Sequence, residues 1–228
     1  MRSRLRSFKE VLRVTETFLS IQGEGDDTGW PCFFIRLAGC NLRCSYCDTR
    51  YAYQGGEERS VADLVEEWRK ARVSRVLVTG GEPLLQDGSI ILMDALLAAG
   101  ARVILETNGS LPLEGVPAGV VKVLDRKTPG SGMSERWNLQ NAENLTHGDQ
   151  VKFVLVSRED YEWARREVLS TGLHRRAQVL FSPVISILSP MILAHWILED
   201  RLPVRFQVQL HKIVWGGGQE GIRGPCLC

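Results

Sequence analysis

The sequence predicts an α/β fold built on a parallel sheet, and three observations carry that expectation. Short apolar runs alternate with amphipathic segments over most of the chain, the pattern of buried parallel strands joined by helical crossovers. Polar, glycine-rich stretches follow one run after another, as they do where a site forms at the carboxyl ends of a sheet. The length, 228 residues, falls short of the roughly 250 of a closed eightfold barrel. A partial, open β/α barrel in a single domain spanning residues 1–228 is therefore expected, with a basic extension over 1–10 and a tail over 217–228 whose role the sequence leaves open.

The strands expected in order are 12–18, 33–37, 75–78, 102–106, 120–124, 151–156, 179–181 and 205–210, each short and rich in Val, Ile, Leu or Phe. Ser60 followed by Asp63 has the form of a capping box and opens a helix through Ala71, with Val61, Leu64, Val65 and Trp68 on one face. A second helix is expected from Asp87 to Ala99, closed by Gly100. Ser157 and Asp160 repeat the cap for a third helix to about Ser170, and Pro190, suited to a first helical turn, starts a fourth to Glu199. The segments after the strands (38–49, 79–83, 107–110, 125–132, 182–183, 211–212) should converge on one rim. The long irregular stretch 128–146 is a candidate lid.

Composition narrows the function. Lys and Arg number 28 against 27 Asp and Glu, a net charge of +1, so the broad basic footprint of a nucleic-acid binder is missing. No apolar run reaches the roughly 18 residues of a membrane span. Residues 1–9 are basic but lack the apolar stretch of a secretory signal, which points to a cytoplasmic chain.

The cysteines carry the chemistry. Cys40, Cys44 and Cys47 stand in a CxxxCxxC spacing directly after the strand 33–37. Three thiolates on one loop reach three irons of a cubane cluster, and the fourth iron stays open to a small molecule. Gly39 and Asn41 suit the positive φ angles of a chain wrapped around such a core. The alternatives are a zinc knob completed from afar and three unrelated buried thiols; structural zinc usually employs a second, separated ligand pair, and none follows here. Cys226 and Cys228 stand on a Gly-Pro tail, and Cys32 reads as a small core hydrophobe.

With CxxxCxxC after one strand and Thr79-Gly80-Gly81-Glu82-Pro83 after the next, the chain resembles radical S-adenosylmethionine enzymes. The resemblance implies a [4Fe-4S] cluster on Cys40, Cys44 and Cys47, with S-adenosylmethionine held by Tyr46, Gly80, Gly81, Glu82, Asn108, Ser131 and Ser182. It implies that a reduced cluster splits the sulfonium and that the resulting radical takes a hydrogen atom from substrate. For Tyr46 a plain covering role, and for Asn108 a loop cap, are the alternatives.

The stretches 16–25, 29–41, 47–49, 105–109, 125–132, 151–153 and 209–212 closely resemble the 7-carboxy-7-deazaguanine synthase family. That family converts 6-carboxy-5,6,7,8-tetrahydropterin to 7-carboxy-7-deazaguanine and uses Mg²⁺. The resemblance implies substrate contacts at Ile21, Gln22, Gly23, Glu24, Arg36, Thr79 and His211, and a magnesium ligand at Thr49. It also implies an electron donor such as flavodoxin or ferredoxin and a homodimer. A pterin edge needs a carboxylate acceptor such as Glu24, and its own carboxylate needs a cation such as Arg36. Arg36 faces the barrel if Ile35 and Leu37 face outward; a structural salt bridge is the alternative. His147, His174 and His195 lack supporting neighbours and are expected to be structural. The rival readings are a glycyl-radical activating enzyme and a zinc-stabilised binding module.

Overall fold

The computed structural model describes residues 10–216; the expected basic extension through residue 9 and the tail with Cys226 and Cys228 lie outside the described residues. Among the described residues nine strands form one sheet: β1 (Val11–Ile21), β2 (Pro31–Leu37), β3 (Glu57–Ser60), β4 (Arg75–Gly80), β5 (Arg102–Thr107), β6 (Val121–Asp125), β7 (Gln150–Leu155), β8 (Gln178–Pro183) and β9 (Arg205–Phe206). Their spatial order is β3-β1-β2-β4-β5-β6-β7-β8-β9, so the sheet stays open, with β3 and β9 at its edges. From β2 through β4 to β9 every pairing is parallel, while β1 runs antiparallel to both β2 and β3. This is the partial barrel that the alternation of elements predicts.

Two-sided burial explains the continuous apolar runs. On β2, Phe33, Ile35 and Leu37 face outward into a cluster with Leu64, Trp68, Leu92 and Leu96 from helices α1 (Val61–Ala71) and α2 (Gly88–Ala98). Cys32 and Phe34 face inward with Leu77, Ile104 and Val123, and Phe34 stacks on Phe18 at 4.7 Å between centroids. Helices α3 (Arg158–Thr171) and α4 (Pro190–Asp200) cover β6 to β8 through Tyr161, Ala164, Leu193 and Ile197. The expected caps form: Asp63 N donates to Ser60 Oγ at 3.1 Å and Asp160 N to Ser157 Oγ at 3.3 Å. Cys32 is a core residue, and burial pushes its thiol up to about 12.

Three elements depart from the sequence reading. β3 is charged (EERS) and exists because its backbone completes β1; no apolar period announces it. The strand expected over 205–210 stops at Phe206, because the next residues serve the loop after β1: Gln207 Nε2 donates to Gly25 O and Gln209 Nε2 to Glu24 Oε1. Leu210 then opens a short helix, α5 (Leu210–Val214). Asn41, expected at positive φ, does not adopt it, whereas Gly39 does at +96°; Asn41 instead hydrogen-bonds Ser110 Oγ and Asn108 Nδ2.

The loop 22–30 crosses the amino ends of the parallel strands. Asp27 pairs with Arg75 and Arg102, the first residues of β4 and β5, at 2.6 and 2.9 Å. Asp26 N donates to Gln150 Oε1, at the start of β7, and Arg205 at the start of β9 pairs with Asp26 at 2.6 Å. The loop thus supplies a floor to a barrel that the sheet leaves open. Asp27 is 5% exposed, and although burial opposes it, the two guanidiniums hold its carboxyl below its ordinary 3.8. Asp27→Ala is expected to cost about 2–3 kcal/mol, less than for a fully buried pair because Arg102 is half exposed. Because the folded carboxyl lies below the unfolded one, this contribution is complete above pH 3.8 and fades as pH falls through the folded value. Denaturant titrations of both proteins at neutral and acid pH check this, and a gap that does not narrow in acid contradicts it.

Candidate active site

One cavity occupies the barrel interior and its carboxyl rim. Of the residues named from the sequence, Ile21, Gln22, Glu24, Arg36, Cys40, Cys44, Tyr46, Cys47, Thr49, Thr79, Gly80, Gly81, Asn108 and His211 line it. Gly23, Glu82, Ser131 and Ser182 are not among its lining residues. His147, His174 and His195 are remote from it; His195 pairs with Glu199 on the exposed face of α4.

The cysteine loop follows β2 and is fixed by backbone at both ends. Gly39 N donates to Ala52 O at 2.8 Å, Ser45 N to Ser131 O at 3.0 Å, and Cys47 N to Cys44 O at 3.3 Å. Ser131 therefore acts here through its carbonyl, while its hydroxyl donates to Thr128 O at 2.6 Å. The candidate lid 128–146 is tied down by such bonds: Gly130 N to Asp160 Oδ1 at 2.8 Å, and Asn141 Nδ2 to the carbonyls of Gly109 and Leu111.

All three thiols are free of disulfides and face one cavity. Burial raises the Cys40 and Cys44 thiols, the ordinary behaviour of thiols in such surroundings. Among the described residues no three His, Cys, Asp or Glu side chains gather tightly enough to hold a single metal ion. Three soft sulfur donors on one loop fit an iron–sulfur cluster.

Gly80 and Gly81 have a reason the sequence did not show. A Cβ on Gly81 would stand 2.0 Å from Gly39 O and 2.8 Å from Cys40 Cβ, and one on Gly80 would stand 2.2 Å from Leu37 O. The GGEP turn is thus packed backbone to backbone against the cysteine loop. Glu82, fully buried, locks the turn to the end of β5: its carboxylate accepts from Thr107 Oγ1 at 2.8 Å, Asn108 N at 2.7 Å and Leu84 N at 3.0 Å. Asn108 caps its own loop, accepting from Ser110 N at 2.9 Å, and still lines the cavity. Tyr46 donates its hydroxyl to Val154 O at 3.2 Å, and burial raises it.

The polar half of the cavity is a field of paired charges. Arg36 faces inward as its outward neighbours require, and it forms the salt bridge held open as the alternative: Nε lies 2.8 Å from Glu16 Oε1, which also accepts from Tyr51. Glu24 accepts from Gln209 at 2.7 Å and from Lys152. Burial would raise the Glu24 carboxyl, but Lys152, His211 and these hydrogen bonds hold it at about 2. Asp48 receives Thr49 Oγ1 at 2.9 Å and Lys212 Nζ at 2.9 Å; desolvation at the rim opposes its charge, but the Lys212 ammonium holds its carboxyl well below the ordinary range. Thr79 donates to Glu106 at 3.2 Å, and burial raises Glu106. His211 sits in the first turn of α5 rather than at a strand end, packed so closely on Gly23 that a Cβ there would meet its ring at 2.0 Å. Burial lowers the imidazole.

Lys127, Lys152, Glu106 and Asp125, none of them a sequence-predicted site residue, also line the cavity. The signal was present: each is a charged residue inside or at the end of an otherwise apolar strand run.

The Radical SAM superfamily pattern matches residues 34–125, from β2 through β6. The chain is 40% identical to a 7-carboxy-7-deazaguanine synthase of Koribacter versatilis (strain Ellin345) over 226 residues, 92% of this chain and 100% of the relative. It is 41% identical to that of Chlorobaculum tepidum over 219 residues, 95% and 100% of the two chains. The crystal structure of QueE from Escherichia coli superposes with a TM-score of 0.75 at 22% identity, over 91% of this chain and 98% of that one, which shows a shared fold. With that identity maintained along entire relatives, the chain belongs to the 7-carboxy-7-deazaguanine synthase family of radical S-adenosylmethionine enzymes.

Proposed function

We propose that this chain is the carbon–nitrogen lyase that converts 6-carboxy-5,6,7,8-tetrahydropterin to 7-carboxy-7-deazaguanine by radical ring contraction with loss of ammonia, an early step toward queuosine and related deazapurines. The observation that carries the reading is one cavity that joins three free thiols to a set of paired charges suited to a small, polar molecule. A glycyl-radical activating enzyme has to admit a protein loop, and buried charges such as Glu24 and Arg36 suit a small ligand better.

In this reading Cys40, Cys44 and Cys47 hold the [4Fe-4S] cluster. Held there, a reduced cluster and S-adenosylmethionine would together supply a carbon radical able to take a hydrogen atom from substrate. The chain's own residues orient and exclude. Gly80 and Gly81 of the GGEP turn, Asn108 of the loop after β5 and Tyr46 would line the S-adenosylmethionine site, with Glu82, Ser131 and Ser182 supporting these loops; the Ser182 hydroxyl is buried and lacks a partner among the described residues. Glu24, with Gln22 and backbone at Ile21 and Gly23, accepts the N–H groups of the pterin edge, and Thr79 and His211 bound the ring. Arg36 meets the substrate carboxylate with the guanidinium nitrogens not engaged by Glu16. Thr49 and Asp48 supply hard oxygen donors for Mg²⁺, which keeps several waters when bound; Lys212 is the cation now facing Asp48. We further assign a one-electron donor such as flavodoxin or ferredoxin, a homodimer and a cytoplasmic location. Among the described residues no helix is long and apolar enough to cross a membrane.

The test is pterin dependence. Under reducing, anaerobic conditions, 5′-deoxyadenosine should form much faster with the carboxypterin than without it; equal rates with and without it overturn the assignment. Arg36→Ala should raise the pterin KM by the equivalent of about 2–4 kcal/mol with a smaller change in kcat. Unchanged kinetics with a lowered melting temperature would leave Arg36 only its bridge to Glu16.

A further inference from the structure

Lys152 lies in the middle of β7, whose Val151, Phe153 and Leu155 face the helices while Lys152 and Val154 face the cavity. At 5% exposed its ammonium is taken out of water, a cost that only close carboxylates offset. They are present. Glu24 Oε2 contacts Nζ directly, Asp125 Oδ2 stands 3.7 Å away, and Glu106 shares the same field. The other Glu24 oxygen accepts from Gln209 at 2.7 Å. Each oxygen of Glu24 thus has one fixed donor, and a carboxylate has about four lone-pair sites in all; the remaining pair is available to a ligand.

We propose that Lys152 is a positioning residue for substrate: with Gln209 it clamps Glu24 so that the carboxylate presents its two remaining lone pairs to neighbouring N–H groups of an aminopyrimidinone ring. This deepens the proposed function and rests on its placement of the pterin edge at Glu24. Lys152 acts through Glu24, which connects β7 to the loop 22–30 that floors the barrel. The groups facing Glu24 are Lys152 from β7, Gln209, His211 from α5 and Glu106 from β5, and Asp125 of β6 shares the field of Lys152. Without the ammonium, burial and the neighbouring acids favour the protonated form of Glu24, which gives up acceptor capacity just where the ring needs it.

Equilibrium binding of the carboxypterin to the purified chain, followed anaerobically by the pterin's own absorbance, separates the outcomes. In the wild type Kd should be nearly flat from about pH 6 to 8, since Glu24 stays ionised throughout. In Lys152→Met binding should weaken by about tenfold or more at the acid end and recover as pH rises. Lys152→Arg should recover much of the wild-type affinity and its flat profile. Lys152→Gln carries the same readout if the methionine variant does not fold. A Lys152→Met or Lys152→Gln protein that binds like wild type with a flat profile overturns the role of Lys152, as does a uniform weakening with no pH dependence. A wild-type chain that does not bind the pterin overturns the proposed function itself.

Discussion

Cys44→Ala should purify as a folded chain that holds no iron–sulfur cluster and gives no turnover. The thiol is one of three donors on a loop, and two thiolates do not retain a cubane that already lacks a fourth protein ligand. The fold should survive, because the loop's backbone is held without the sulfur: Gly39 N to Ala52 O at 2.8 Å, Ser45 N to Ser131 O at 3.0 Å, and Arg50 to Ser45 O at 2.5 Å. Iron and sulfide analysis, visible absorbance and a thermal melt check the three parts separately. A variant with a normal cluster and normal activity removes Cys44 from the ligand set.

The second large effect is expected from the smallest substitution. Gly81→Ala places a methyl 2.0 Å from Gly39 O and 2.6 Å from Gly39 C, and neither atom belongs to a flexible side chain. The cysteine loop or the GGEP turn must move, against the bonds Glu82 N to Gly39 O at 2.7 Å and Gly81 N to Leu37 O at 3.1 Å that join them. A stability loss of about 3 kcal/mol is expected, with cluster occupancy falling alongside it. Denaturant unfolding and iron content measure both; a fully loaded protein of wild-type stability would show that this packing is softer than the distances imply.

Much of this architecture could be read before any coordinates. β4, β5 and β6 were legible because each is buried on both faces and therefore apolar almost throughout. Ser60 and Ser157 marked helix starts through a local hydrogen bond that two residues suffice to specify. The CxxxCxxC loop was legible because one short segment carries the complete donor set. β3 was not, since its four residues contribute only backbone to β1. The end of the last strand is not legible over 205–210, because Gln207 and Gln209 are buried by polar bonds to Gly25 and Glu24, more than 180 positions away in sequence, and no period encodes such a partner. Lys152 and Glu106 escaped for a related reason: a charge inside an apolar strand has meaning only when the opposing carboxylate or hydroxyl is in place. Gln22 to Glu24 are legible through the resemblance and through the acceptor a pterin edge needs, and the structure supplies their physical setting, a floor pinned to the amino ends of β4, β5, β7 and β9.

The most direct test of the central claim is product identity. The anaerobically reconstituted chain, given S-adenosylmethionine, a low-potential reductant, Mg²⁺ and 6-carboxy-5,6,7,8-tetrahydropterin, should release 7-carboxy-7-deazaguanine and ammonia in equal amounts, both measured in the same quenched sample by mass spectrometry and ammonia assay. Cleavage of S-adenosylmethionine with the pterin recovered unchanged, or a colourless protein that contains zinc and no iron, would contradict it.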